Sequence, residues 1–372
     1  MKAAVCRGIG QLGIEELDAP RPLAGEVRLR MVATGVCRTD LSVFQGHLPS
    51  PFPIVLGHEG AGVVEEVGPG VRDLAPGDHV VCTIIAGCGM CAPCNRGEPT
   101  LCVRIAFYTG KMFDGTTRLT RGAEAIHSLS YQASFAEQAI VPEACAVKVR
   151  ADAPLERLAG LACGVSTGLG ASMVRTPVEP GSSAVVIGAG GVGLSVLMGA
   201  RLRGATTLVA VDLSGAKLAK ARAMGLATHT LQGEGAEVIE AVHDITRGGA
   251  DFAFDAAGVE GTLETALESA RAGGSCVAIG VSGGGRRAAI DPSLLMRQRW
   301  LTGTFGGSIA PRHHIPLFVD LYMEGRLDLD ALMDSHYCLD EVGRAFEDLE
   351  ANAITRGVIR FASPADEAPR RS

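Results

Sequence analysis

The chain has 372 residues, 47% of them hydrophobic and 20% charged, which supplies apolar material for two or three buried cores and excludes a disordered polymer. Acidic residues outnumber basic ones by 41 to 34, a net charge of −7 that offers no basic footprint for nucleic acid. The 49 glycines follow no collagen-like period and leave room for many tight turns.

The opening Met1-Lys2-Ala3-Ala4-Val5-Cys6-Arg7 lacks the apolar stretch of a signal peptide, so a cytoplasmic location is expected. Short β-like runs dominate up to about residue 150. Residues 27–32 alternate apolar and polar side chains, as a half-buried strand does. Residues 60–67, 78–82 (entered through the turn Pro76-Gly77) and 135–141 also read as strands. After about residue 165 the period changes. A buried strand over 184–187 leads into a glycine loop and a helix to about Arg203. Strand 207–211, helix 216–224, strand 251–255, helix 262–270 and strand 275–279 follow. Such alternation predicts right-handed crossovers and a parallel sheet covered on both faces. Residues 315–323 and 340–350 read as helices and 358–361 as a last strand, with the tail 362–372 expected to fray. Two uncharged runs, 158–174 and 184–200, are 17 residues each, short of the roughly 20 apolar residues a membrane span needs. Both are rich in glycine and alanine and read as buried segments, so no membrane partner is expected.

Eleven cysteines in such a chain read as ligands or buried thiols rather than disulfides. Four of them form Cys88-x2-Cys91-x2-Cys94-x7-Cys102, and four thiolates in one loop close a tetrahedral zinc site with every position filled by protein. Such a site is structural. Free thiols would find little core among Gly87, Gly89, Pro93 and Gly97, and the spacing differs from common iron–sulfur patterns. Cys37, His58 and Cys163 are dispersed, and each alone reads as readily as a buried structural residue. If they met, two thiolates and an imidazole would leave the fourth zinc position open, as catalysis requires.

Gly188-Ala189-Gly190-Gly191-Val192-Gly193 is a GxGxxG run that follows a predicted strand and opens a predicted helix. In that context the glycines allow a tight turn, close approach of a pyrophosphate and close helix–strand packing. Asp212 stands 19 residues past Gly193, at the end of the next strand. A carboxylate there accepts hydrogen bonds from a ribose and repels a 2′-phosphate, which predicts NAD over NADP.

In this order, these constellations resemble the zinc-dependent medium-chain alcohol dehydrogenases, over nearly the whole chain to Phe361. The motifs carrying the resemblance are Gly57-His58-Glu59, the four-cysteine lobe, Ala162-Cys163-Gly164-Val165-Ser166-Thr167-Gly168 and the dinucleotide loop. The resemblance implies an α/β fold, with a GroES-like β-rich catalytic domain over 1–165 and 307–372. A Rossmann domain, a doubly wound parallel sheet, would occupy 166–306. It implies NAD and two zinc ions per subunit, one catalytic on Cys37, His58 and Cys163, and one structural on Cys88, Cys91, Cys94 and Cys102. Thr39 looks like the hydroxyl that starts a proton relay, and Asp40 and Glu59 look like acids that orient the site. Arg38 and Arg356 look like pyrophosphate contacts, Lys217 like a ribose partner of Asp212, and Thr167 and Val192 like nicotinamide neighbours. Many relatives carry a histidine where this chain has Ser42, so the relay is expected to end at Ser42 and water, with slower or more pH-sensitive proton release.

The activity implied is reversible oxidation of a primary alcohol to an aldehyde, with hydride transfer to NAD. Cysteine as third ligand resembles the alcohol branch rather than the polyol branch, and the segment Asp114-Gly115-Thr116-Thr117-Arg118-Leu119 resembles the longer-loop alcohol, aryl-alcohol and formaldehyde-adduct enzymes. Leu48 and Ile84 fall where relatives line the substrate channel, and both are apolar, which suits a hydrophobic or aryl alcohol. The alternatives are a thiol-dependent formaldehyde dehydrogenase and, in a different class, a non-catalytic sensor binding NAD and zinc. Relatives of this length are homodimers or homotetramers, and the apolar stretch 300–309 is a plausible interface strand.

Overall fold

The computed structural model describes residues 1–105, 107–280 and 287–362. The fraying expected of the tail 362–372 lies, past its first residue, outside the described residues. Contacts divide the chain into two compact units. One comprises Met1–Cys163, Ala310–Gly325 and Leu329 onward, and the other comprises Gly164–Ile309 with Arg326–Asp328.

The first unit is organised around the strand Glu26–Val36, whose Val27, Leu29 and Met31 are buried in one hydrophobic cluster. This strand pairs antiparallel with Gly60–Val67, Gln138–Pro142 and Gly357–Arg360. The register brings distant residues to one end of the sheet. Thr34 lies opposite Gly60, and Gly357 lies opposite Val36. His58, Glu59 and Arg356 therefore arrive beside the strand end that runs into Cys37. A five-stranded sheet, ordered Gln11–Glu16, Lys2–Gly8, Ile54–Val55, Glu124–Ser128 and Leu119–Arg121, completes the β framework. Its buried Val5, Ile54 and Ile126 share a cluster with Phe135 and Phe346.

The second unit carries six parallel strands in the order His229–Gln232, Thr207–Asp212, Ser183–Ile187, Ala250–Asp255, Ala270–Ala278, Trp300–Gly303. The chain starts at Ser183–Ile187, winds outward to one side, then returns to the other. That reversal makes the carboxyl end of Ser183–Ile187 the topological switch point, where open α/β sheets bind ligands. The sheet is doubly wound, as expected.

Several elements differ from the sequence expectation. The strand His229–Gln232 and the helix Gly235–Thr246 were not anticipated. The strand has one apolar residue between polar neighbours and sits at the sheet edge, so burial gives it no alternating signal. The helix buries Val238 and Val242 at i, i+4 spacing, but its β-branched residues carry low helix propensity. The strand expected over 135–141 is Gln138–Pro142, because Phe135 donates its N–H to Leu56 O instead of entering the ladder. No helix among the described residues is long and apolar enough to cross a membrane. The second uncharged run forms the strand Ser183–Ile187 and most of the helix Gly191–Leu202.

Candidate active site, zinc lobe and dinucleotide loop

Cys37 ends the strand Glu26–Val36 and caps the helix Arg38–Phe44 from extended backbone, φ −117° and ψ 152°. Asp40, in the first turn of that helix, is fully buried. Its carboxylate accepts from the backbone N–H of Cys37 at 3.3 Å and of Gly57 at 2.9 Å, and lies 3.0 Å from His58 Nδ1. One side chain thus ties the segment bearing Cys37 to the segment bearing His58. With Nδ1 turned to Asp40, the other ring nitrogen of His58 is buried and faces the thiol of Cys37. A carboxylate on one ring nitrogen and a thiol beside the other is the arrangement of a metal-ligating histidine.

Cys163 follows the short turn Ala159–Ala162. Ligand atoms of Cys37, His58, Glu59 and Cys163 lie within 4.8 Å of one another. Tetrahedral zinc with bonds of about 2.0–2.3 Å separates its ligands by about 3.5–3.8 Å, so the cluster has the size of a zinc site. The Cys37 thiol is held well below its usual range, first by a hydrogen bond from Cys163 and then by the charge of His58, against the effect of burial. The same bond and burial push the Cys163 thiol well up. Burial opposes charge on His58, but Asp40 and Cys37 outweigh it and raise the imidazole well above its usual value. Burial pushes the Glu59 carboxyl up to about 7, partly opposed by Arg356.

Arg356, matched by resemblance to a pyrophosphate contact, is 4% exposed and pairs with Glu59. Arg38 is exposed and donates to Leu349 O at 3.2 Å and Asn352 Oδ1 at 2.7 Å. Thr39 and Ser42 are half-buried on the helix Arg38–Phe44, three residues apart and so on one face. Leu48 is half-buried against the cluster that also holds Phe52 and Tyr108, and Ile84 is 8% exposed. Tyr108 is a site residue that the sequence reading passed over. Burial pushes its phenol up, and the charges of His58, Cys163, Cys37 and Asp40 all reach it. Its signal was the doublet Phe107-Tyr108, in a chain with only 4% aromatic residues.

In the lobe, the sulfurs of Cys88, Cys91, Cys94 and Cys102 lie within 4.8 Å of one another. Backbone N–H groups of Cys94 and Val103 hold the Cys91 thiol down at about 6, and Cys88 N donates to Cys102 Sγ at 3.3 Å. Amides aimed at sulfur favour thiolates, the form that binds zinc.

In the second unit the glycine loop joins the strand Ser183–Ile187 to the helix Gly191–Leu202. Gly188 takes φ 96°, and a Cβ on Gly193 would stand 1.8 Å from Gly188 O, so no side chain fits there. Gly190 has nothing within 4 Å of a Cβ position, which leaves its backbone open to an approaching phosphate. Asp212 accepts from Ala189 N at 2.8 Å and Ser214 N at 2.9 Å, with Lys217 Nζ at 3.8 Å. One lone pair on each oxygen remains for a ribose. Val192 and Thr167 are half-buried, on the helices Gly191–Leu202 and Gly164–Gly170.

The sequence profile of the alcohol dehydrogenase GroES-like domain matches residues 23–151, and that of the zinc-binding dehydrogenases matches 191–324. The S-(hydroxymethyl)glutathione dehydrogenase of Paracoccus denitrificans is 37% identical over 374 residues, covering 97% of this chain and 99% of that protein. Among solved structures, benzyl alcohol dehydrogenase from Acinetobacter calcoaceticus superposes with a TM-score of 0.92 at 35% identity, over 97% of this chain and 99% of that one. An alcohol dehydrogenase zinc-binding domain protein from Burkholderia ambifaria superposes with a TM-score of 0.93 at 38% identity, with the same coverage.

Proposed function

The chain belongs to the zinc-binding alcohol dehydrogenases, which are NAD-dependent oxidoreductases, and on that premise we propose that it oxidises a hydrophobic or aryl primary alcohol to its aldehyde. The observation that carries the substrate class is the apolar and aromatic set formed by Leu48, Phe52 and Tyr108, packed on one cluster, with Tyr108 in the field of the Cys37–His58–Cys163 group. A benzyl alcohol dehydrogenase among the structural relatives supports it.

Cys37, His58 and Cys163 would hold a zinc ion with one position left for substrate, and Cys88, Cys91, Cys94 and Cys102 a second, fully enclosed one. When bound, the first ion supplies Lewis acidity toward the substrate oxygen, and NAD supplies the hydride acceptor. The chain's own residues do the rest. Asp40 fixes the His58 ring, and Arg356 balances Glu59 behind it. Thr39 would accept a hydrogen bond from the alcohol's hydroxyl and release its own proton as it receives that one, into a relay that ends at Ser42, one helical turn on, and water. The loop 188–193 would hold the pyrophosphate of NAD, Asp212 and Lys217 its ribose, and Thr167 and Val192 would serve its nicotinamide end. The edge strand Trp300–Gly303, with Trp300 72% exposed, supports assembly into a homodimer or homotetramer.

The relative from Paracoccus denitrificans favours a second reading, oxidation of a formaldehyde–thiol adduct. A non-catalytic sensor would require a broken trio, whereas the three side chains converge. The test is metal content per chain on dialysed protein, paired with NADH formation from NAD with benzyl alcohol or with S-(hydroxymethyl)glutathione. Two zinc ions and turnover of benzyl alcohol are expected. Turnover of the thiol adduct alone would overturn the substrate class, and one zinc with no turnover would overturn the site.

A further inference from the structure

Residues 130–133 carry an unusual backbone. Ser130, Tyr131 and Ala133 take φ of 51°, 63° and 53°, a region that residues with a Cβ avoid, and no glycine relieves the turn. Packing over-determines it. Tyr131 is 2% exposed, with its ring 4.7 Å from that of Phe113 and 6.4 Å from that of Phe107. Ser130 N donates to Phe107 O at 3.2 Å.

The segment delivers hydrogen bonds to both sides of His58 and Glu59. Ser134 N donates to Gly57 O at 3.0 Å, and Phe135 N to Leu56 O at 3.0 Å. On the other side, Gln132 Oε1 accepts from Gly60 N at 3.3 Å. Gln132 has no solvent exposure, and its Nε2 has no hydrogen-bond partner among the described residues. A buried amide with an unsatisfied half is costly, so as mere core filler it would be inferior to leucine or methionine. What it provides, and they do not, is an acceptor for Gly60.

We propose that Gln132 is a positioning residue: held by the left-handed turn, it fixes the Gly60 end of the segment that carries His58 and Glu59, and so keeps the His58 ring aimed at Cys37 and Cys163. The proposal rests on those three residues forming the catalytic metal site. A ring anchored by Asp40 at Nδ1 still pivots with its backbone, and on the other side Gly57 is held at its N–H by Asp40 and at its carbonyl by Ser134. Clamping both flanks removes that freedom.

The test uses the full chain with cobalt(II) in place of zinc, the four-sulfur lobe serving as internal reference. Gln132→Met keeps the length and removes the acceptor, whereas Gln132→Glu retains an acceptor. Gln132→Met should shift the visible bands of the Cys37–His58–Cys163 cobalt and release that ion to a chelator at least tenfold faster, with release from the lobe unchanged. It should lower kcat while KM for NAD stays within twofold, and Gln132→Glu should stay within twofold of the parent in spectrum and release. If Gln132→Met does not fold, Gln132→Asn, which withdraws the acceptor by one methylene, is measured in its place and should shift the same way. Spectrum and release equal to the parent would overturn the proposal, as would equal losses in Gln132→Met and Gln132→Glu. A parent chain that takes up one cobalt, in the lobe alone, would instead overturn the metal-site reading beneath it.

Discussion

Replacing Asp40 by asparagine changes one atom at the junction of the candidate catalytic site. The carboxylate serves three partners: Gly57 N at 2.9 Å and His58 Nδ1 at 3.0 Å on Oδ1, and Cys37 N at 3.3 Å on Oδ2. Asparagine has one acceptor oxygen. With that oxygen in the Oδ1 position, its amide N–H faces the Cys37 N–H, donor against donor, and a buried orphan donor costs about 1–3 kcal/mol. The surviving bond to His58 also loses its charge and roughly half its strength. In the flipped orientation, the amide faces Gly57 N and His58 Nδ1. The ring then keeps a bond only by moving its proton to the nitrogen that should face the thiols. Either way the loss falls on metal orientation, where removing such a partner costs about 10–100-fold in affinity. Asp40→Asn should therefore lower the thermal midpoint modestly and raise the zinc dissociation constant of this site by about 10–100-fold. Competition with a chromogenic chelator reads the constant, and the four-cysteine lobe should be unchanged in the same titration. Parent-like zinc affinity at the catalytic site would refute the idea that Asp40 sets the His58 ring.

Other outcomes follow from the same structure. Asp212→Asn removes charge-assisted hydrogen bonds worth about 1.5–3 kcal/mol, so KM for NAD should rise about 10–100-fold while turnover with NADP improves. Unchanged cofactor preference would remove Asp212 from the ribose site. Tyr108→Leu should cut kcat/KM for benzyl alcohol about fivefold and leave ethanol within twofold, from the loss of aromatic contact; equal effects on both alcohols would show that Tyr108 does not face the substrate ring. Ser42→His should raise the rate of alcohol oxidation at low pH, and a superimposable pH–rate profile would dismiss the relay through position 42. The Asp114 carboxyl is held at about 2 by Arg118. Its folded value lies below the unfolded one, so it stabilises the fold above about pH 4, and that contribution fades as pH falls toward 2. Thermal midpoints of Asp114→Asn should accordingly fall less steeply than those of the parent as the pH is lowered below 4. Parallel slopes would count against the pairing.

How much was legible in the sequence depended on whether a feature is local. The four-cysteine lobe closes within one loop, and the dinucleotide loop is one strand, one turn and one helix, so contiguous residues carry both. The doubly wound sheet was likewise readable from alternating strands and helices, except where the edge strand His229–Gln232 and the helix Gly235–Thr246 lacked a clear pattern. Cys37, His58 and Cys163 could be considered as a set from residue type, but joined into one site only through resemblance, because nothing in their spacing brings them together. Strand pairing brings His58 to Cys37, and packing of the turn Ala159–Ala162 on the same strands brings Cys163: Glu26–Val36 takes Gly60–Val67 on one side and Gly357–Arg360 on the other, in a register that sets Gly60 against Thr34 and Gly357 against Val36. The pairing of Glu59 with Arg356 is a product of that register, whereas Tyr108 and Gln132 reach the site from loops by non-local packing. Residue types and short spacings determine which ligands and loops the chain possesses. Only the tertiary structure decides which of them meet, because side chains 100 or more positions apart come within bonding distance through sheet register and burial, neither of which is written in any one segment.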